Sequence, residues 1–192
     1  MLLEALQNFE WYNEPDNVVF RDKELCVTAQ PQTDFWQSKH HHFSRDNGHL
    51  FFMRENGDFT FNAKWEFDVQ QAACQCGVMV RIDENNWVKA ALIYDNPERP
   101  MIGSSVTQNG YSDWAAQDIA KNTDQILFKL RRFQGDYIFS YSLDGEKYIQ
   151  LRMVHLLNDL SEVKVGAYVC APSAQPFEAV LSQIDLSKEV RK

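Results

Sequence analysis

Residues 58–68 read DFTFNAKWEFD, and their alternation decides the fold. Phe59, Phe61, Ala63, Trp65 and Phe67 are apolar, while Thr60, Asn62, Lys64 and Glu66 between them are polar. Successive side chains of an extended chain point to opposite faces, so this period of two predicts a long strand with one face buried and the other in water. Working outward, residues 77–94 (GVMVRIDENNWVKAALIY) predict a hairpin with Val78, Val80 and Ile82 on the buried face of one arm and Val88, Ala90 and Leu92 on that of the other. A three-residue turn at Glu84-Asn85-Asn86 would set Asp83 opposite Trp87 and Arg81 opposite Lys89.

Two more hairpins follow, turning at Gln134-Gly135 and at Asp144-Gly145, a dipeptide that favours a type I′ turn. Phe128 and Leu130 share a face with Phe139 and Tyr141. Residues 163–171 and 177–186 read as closing strands, with Pro172 and Pro176 interrupting the ladder between them. Further strands are predicted near 9–13, 17–21, 24–30, 49–54 and 102–107. The longest irregular stretches run from Pro31 to Ser44, Asn96 to Met101 and Gln108 to Asp124, and a short helix is expected either over Leu2–Phe9 or near Asp118–Thr123. About a dozen antiparallel strands predict an all-β fold, two stacked sheets in a jelly-roll sandwich, as a single domain over 1–192.

Lys plus Arg number 19 against 27 for Asp plus Glu, a net charge of −8, which disfavours unaided binding to nucleic acid or anionic membrane. With 44% hydrophobic and 24% charged residues the composition is that of a globular domain and excludes disorder. MLLEALQNFEWYNEP has no basic n-region and no long apolar core, and no window reaches the length of a membrane span, so a cytoplasmic protein is expected. The four cysteines show no zinc-type pairing and fit reduced thiols. Cys74 and Cys76 would share one side of a strand, either as a metal or redox pair or as two small apolar side chains.

Six segments form an ordered series: TDFWQSKHHHF (33–43), NGHLFFMRENGDF (47–59), GVMVRIDENNWVKAALIY (77–94), SVTQNGYSDWA (105–115), YSLDGEKYIQLR (141–152) and VGAYVCAP (165–172). Together they resemble the family of the fungal regulation-of-enolase proteins, a branch of the concanavalin A-like lectin and glucanase superfamily. The resemblance implies a concanavalin A-like jelly-roll sandwich of two antiparallel sheets, one of them concave, and implies no particular reaction. Glucanases of the superfamily carry a strand motif E-x-D-x-x-E, and the nearest match here is Glu66, Asp68 and then Gln71, an amide that can serve neither as nucleophile nor as acid. Glu66 and Asp68 then continue the solvated face of the strand. Lectins of the superfamily also hold metals, but no cluster of Asp and Asn offers calcium enough oxygens.

On the other face of the 77–94 hairpin stand Arg81, Asp83, Trp87 and Lys89. The guanidinium fork of Arg81 with Lys89 suits a polar or anionic ligand and Trp87 a sugar ring, unless Asp83 merely pairs with Arg81 or Lys89 on a wet surface. Trp36, His40 and His42, from the preceding loop, are expected to form one wall of such a site. In extended backbone His40 and His42 share a face, but no third zinc ligand is evident. In SVTQNGYSDWA, Asp113 or Ser112 can cap a backbone N–H, and Trp114 is either a rim anchor or an exposed stacking platform. A Ser-His-Asp hydrolase there lacks the nucleophile-elbow glycines. The reading is a non-catalytic binding module for a carbohydrate or related polar metabolite, with no cofactor and no metal. The alternatives are a regulatory factor acting on a metabolic enzyme such as enolase, and a glycoside-active enzyme.

Overall fold

The computed structural model describes residues 6–21, 23–38, 42–68, 74–94, 96, 98–121, 123–156 and 162–188. In chain order the strands are β1 (Glu10–Tyr12), β2 (Asn17–Arg21), β3 (Glu24–Ala29), β4 (Phe35–Ser38), β5 (Phe43–Asp46), β6 (His49–Asn56), β7 (Phe59–Phe67), β8 (Cys74–Asp83) and β9 (Asn86–Tyr94). They continue with β10 (Met101–Gln108), β11 (Tyr111–Ser112), β12 (Ala115–Asp118), β13 (Gln125–Phe133), β14 (Asp136–Ser142), β15 (Ile149–His155), β16 (Glu162–Cys170) and β17 (Phe177–Lys188). One sheet has ten strands, ordered β1-β6-β16-β8-β9-β10-β11-β4-β5 with β12 also on β10; the other has seven, ordered β15-β14-β13-β7-β17-β3-β2. All strand pairs in both are antiparallel. No helix occurs among the described residues, and the neighbourhood of 118–121 is the end of β12 followed by turn.

The alternating residues of 58–68 face the inter-sheet core, where Phe59, Phe61, Trp65, Val78, Val80, Phe128, Leu130 and Phe139 are buried and Ile82 is half-buried. Trp65 also satisfies its indole N–H there by donating to the Gly77 carbonyl at 2.9 Å, which ties the two sheets together. Gln134 and Gly135 both have positive φ, 51° and 88°, and close a two-residue turn as expected of a type I′ hairpin. The Asp144-Gly145 turn is longer than predicted: Tyr141 pairs with Ile149. The Asp144 carboxylate holds that loop by accepting from the Lys147 and Glu146 amides and the Ser142 hydroxyl, which brings its pKa down to about 2.

The 77–94 hairpin turns through two residues, Glu84 and Asn85, with a bulge between Arg81 and Asp83, so Arg81 lies opposite Trp87 and Met79 opposite Lys89. The reason is local. The Asp83 carboxylate accepts from the Asn85 amide and the Asn86 side chain and closes the shorter turn, and the bulge absorbs the extra residue. The faces are kept: Val78, Val80, Val88, Ala90 and Leu92 are in the inter-sheet core.

Two of the stretches expected to be irregular contain short strands. Pro31 to Ser44 contains β4 and begins β5, and Gln108 to Asp124 contains β11 and β12. The β4–β5 ribbon ends the ten-stranded sheet, yet its Phe35 ring packs edge-on against Trp87 of β9 and Tyr168 of β16, with centroids 6.4 and 6.2 Å away. The sheet therefore rolls over, so that its far edge comes back across its own outer face. Gly48 permits the approach, because a Cβ there would lie 2.5 Å from the Phe35 ring.

His49 pins the start of this arrangement. It is buried, its Nδ1 lies 2.6 Å from the Asn13 carbonyl and the Gln30 amide donates to its Nε2 at 3.2 Å, so the Nδ1–H neutral form fits both partners. Burial lowers its pKa, outweighing the opposing pull of the Asn13 carbonyl and Asp16. A depressed folded-state pKa means that the unfolded chain takes the proton first: this part of stability is complete above about pH 6.5 and is lost as pH falls from there through the lower folded value. Urea titrations should show unfolding stability falling between pH 7 and 5 with a slope of up to ~1.4 kcal/mol per pH unit, absent in His49→Gln. A flat wild-type profile over that interval contradicts the assignment.

Candidate functional site

Two buried cations hold the ribbon to the outer face of the ten-stranded sheet. Arg81 on β8 donates from both terminal nitrogens to Asp46, at 2.7 and 2.8 Å, and to the Tyr12 hydroxyl at 3.1 Å, while that hydroxyl donates to Asp46 at 2.6 Å. Burial, helped by the Asp46 bond, pushes the Tyr12 phenol up to about 12, so it remains a donor at any working pH. Lys89 on β9 donates to Asp34 at 3.0 Å and to the Gln75 side-chain oxygen at 3.2 Å. The third N–H of Lys89 faces no acceptor among the described residues, and its ammonium lies 5.4 Å from the centre of the Tyr168 ring. Ribbon entry is closed by reciprocal bonds between Asp34 and Asn47.

Beside the ribbon lies a cavity of about 260 Å³. Its floor contains the cross-strand neighbours Gly103 and Ala91, which take up almost no room, and Ser105 and Lys89, which bring a hydroxyl and an ammonium. Trp36 of β4 and Trp114, between β11 and β12, both line it, with Asp34, Gln75 and Tyr168 at its inner side. Trp114 is 53% exposed, yet its neighbourhood is tied down. The Asp113 carboxylate accepts from the Val106 amide at 2.8 Å and from Arg152 at 2.7 Å, and the Asp113 carbonyl accepts from the Ser105 hydroxyl at 2.6 Å. A Cβ at position 103 would stand 3.0 Å from the Trp114 indole nitrogen, so glycine lets that ring lie close over β10. Aromatic faces with a few convergent donors and acceptors are what a cyclic polyol needs: C–H edges stack and hydroxyls exchange hydrogen bonds.

Of the residues singled out from sequence, Trp36, Lys89 and Trp114 meet at this cavity, and Asp113 stands behind it as the clamp on Trp114. Trp87 is a correction. It is fully buried beneath Phe35 and presents no face to a ligand. Arg81 is buried under the ribbon with Asp46, and Asp83 closes the hairpin turn, pairing with neither Arg81 nor Lys89. The hairpin face that was expected to be open is covered because the ribbon returns over it. His42 lies at another shallow depression with Ser38 and Phe43, while His40 falls outside the described residues.

Asp34, Gln75, Ser105 and Tyr168 escaped the sequence reading. Gln75 sits between Cys74 and Cys76, whose thiols pack in the inter-sheet core; burial pushes the Cys76 thiol well up, and that of Cys170 as well. Glu66 lies on β7, in the sheet on the other side of the sandwich from the cavity. Its carboxylate accepts from Lys64 at 2.6 Å and Ser182 at 2.7 Å, and these bonds hold its pKa below the usual value, the opposite of what a general acid requires. Gln71 lies outside the described residues. Among the described residues no three His, Cys, Asp or Glu side chains gather as a metal site.

Two antiparallel sheets in this order define a concanavalin A-like jelly-roll sandwich, here with a tryptophan-lined cavity on the outer face of one sheet. Within that class the chain belongs to the DUF1349 family, a family of proteins of unknown function, whose model matches residues 11–189. It is 25% identical over 182 residues to Regulation of enolase protein 1 of Saccharomyces cerevisiae, a match covering 95% of this chain and 90% of that protein. A crystal structure of a functionally unknown Saccharomyces cerevisiae protein superposes with a TM-score of 0.87 at 25% identity, over 97% of this chain and 99% of that one. The GH43 BlXynB protein of Bacillus licheniformis matches at a TM-score of 0.73 and 14% identity, over 95% of this chain but 37% of that one, a likeness of fold alone.

Proposed function

We propose that the protein is a non-catalytic binding module that takes a carbohydrate or related polar metabolite into the cavity between Trp36 and Trp114. The observation that carries this reading is Trp114 itself, more than half exposed beside the cavity while Asp113 next to it is clamped by Val106, Arg152 and Ser105. Folding gains little from an indole left in water, whereas a fixed aromatic face beside buried donors serves a sugar ring. A cytoplasmic place of action accompanies the proposal, in keeping with four free thiols.

A panel of neutral and acidic monosaccharides and sugar phosphates tests it by thermal shift and tryptophan fluorescence. A ligand at a hundred times its dissociation constant should add ~2.7 kcal/mol to stability. Trp114→Ala should weaken that ligand at least about tenfold, or ~1.4 kcal/mol, with the melting temperature of the free protein nearly unchanged. Silence across the panel, or full affinity in Trp114→Ala, would sink the cavity as the site.

A second reading, a regulatory factor acting on a metabolic enzyme, is favoured by the name of the yeast relative, Regulation of enolase protein 1. Here purified enolase is the probe. Its turnover should change when this protein is added, and an unaltered rate together with separate elution on gel filtration removes the reading.

A further inference from the structure

We infer that Arg45 makes the cavity selective for an anionic sugar, whose ring lies against the tryptophans and whose carboxylate or phosphate is met by the guanidinium at the mouth. The inference rests on the carbohydrate reading above and adds to it the charge of the ligand. Arg45 on β5 is the cross-strand partner of Trp36, so the two side chains stand on the same side of the ribbon. Its Nη1 donates to the carbonyl of Pro172 at 3.4 Å, and Pro172, like Trp36, lines the cavity. The guanidinium thereby reaches one wall residue, Pro172, from the strand position opposite another, Trp36, with its carbon 5.5 Å from the centre of the Phe43 ring.

Around the cavity, charge matching leaves Arg45 over. Asp34 is taken by Lys89, Asp46 by Arg81 and Asp113 by Arg152. Among the described residues Arg45 has no carboxylate partner, although the chain carries a net charge of −8 and is rich in carboxylates. A guanidinium has five N–H donors in a planar fork that fits two oxygens of one carboxylate or phosphate, and a single long bond to a carbonyl leaves most of them available. Inside the cavity the Lys89–Asp34 pair is balanced, so the ring of the ligand meets neutral ground and only the mouth asks for a negative group.

Calorimetric titrations with glucose, glucuronate and glucose 6-phosphate decide the matter, using the full chain and its Arg45→Gln and Trp114→Ala variants. The wild-type protein should bind one or both acidic sugars at least about tenfold more tightly than glucose, and whichever of the two is stronger identifies the anion. Arg45→Gln should erase that preference while glucose binding stays within about twofold, and Trp114→Ala should weaken all ligands alike. Equal affinity for the three sugars, or a preference that survives in Arg45→Gln, overturns the role of Arg45 and leaves the cavity reading standing. Absence of binding by any of the three overturns both.

Discussion

Arg81→Ala is expected to lower the unfolding free energy by about 3 kcal/mol or more, within the ~3–5 kcal/mol seen when one partner of a buried ion pair is removed. The Arg81 side chain is 3% exposed but that of Asp46 21%, so the carboxylate left behind keeps some access to water, which favours the lower end of the range. Tyr12 loses its bond from Arg81 at the same time, together with the cation lying 4.3 Å from its ring centre. Replacing both charges, as Arg81→Met with Asp46→Leu, should recover much of the loss, since an apolar pair avoids the cost of stripping water from two ions. Urea denaturation of the single and double variants measures this directly. A loss under about 1 kcal/mol for Arg81→Ala would mean that the pair behaves as a surface contact.

Phe61→Ala is expected to cost ~3–5 kcal/mol by another route, the loss of transfer energy plus a cavity that close-packed neighbours fill only in part. Phe61 is fully buried, with Leu130 and Leu186 as its cross-strand partners and the Phe9 ring 6.4 Å away. Because those partners sit on paired strands, they cannot relax inward without breaking ladder hydrogen bonds. Truncation of Phe43, which is 47% exposed on β5, should stay within ~0.5 kcal/mol by the same assay. Equal losses at the two positions would show that the buried face of β7 has been misassigned.

The period-two runs were legible because each has one dry face and one wet one, as in β7 and β13. The β4–β5 ribbon was not, because both of its sides are occupied. Phe35 packs inward on Trp87 and Tyr168 while the next residue, Trp36, lines the cavity, so aromatic residues fall on consecutive positions and no alternation survives. The site was half legible for the same reason. Trp36, Lys89 and Trp114 advertise themselves by residue type, but the hollow over which they meet is made by Ala91 and Gly103, whose contribution is the absence of a side chain. Arg81 and Trp87 looked free because nothing local to the hairpin covers them. Their partners, Asp46 and Phe35, lie more than thirty residues upstream.

One dipeptide sets the spacing of the two tryptophans. The Ser112 hydroxyl accepts the Gln37 amide, next to Trp36, at 2.9 Å, and Asp113, which precedes Trp114, follows directly in the chain. Both indoles are thus tied to one dipeptide, Trp36 through β4 and Trp114 through the chain leaving β11, like the fixed jaws of a gauge. A ring of matching thickness enters without first ordering its walls, sparing roughly 0.5–1.5 kcal/mol for each side chain that would otherwise be immobilised. A bulkier one must pull β4 away from β11, so the pair acts as a size filter as well as a stacking surface.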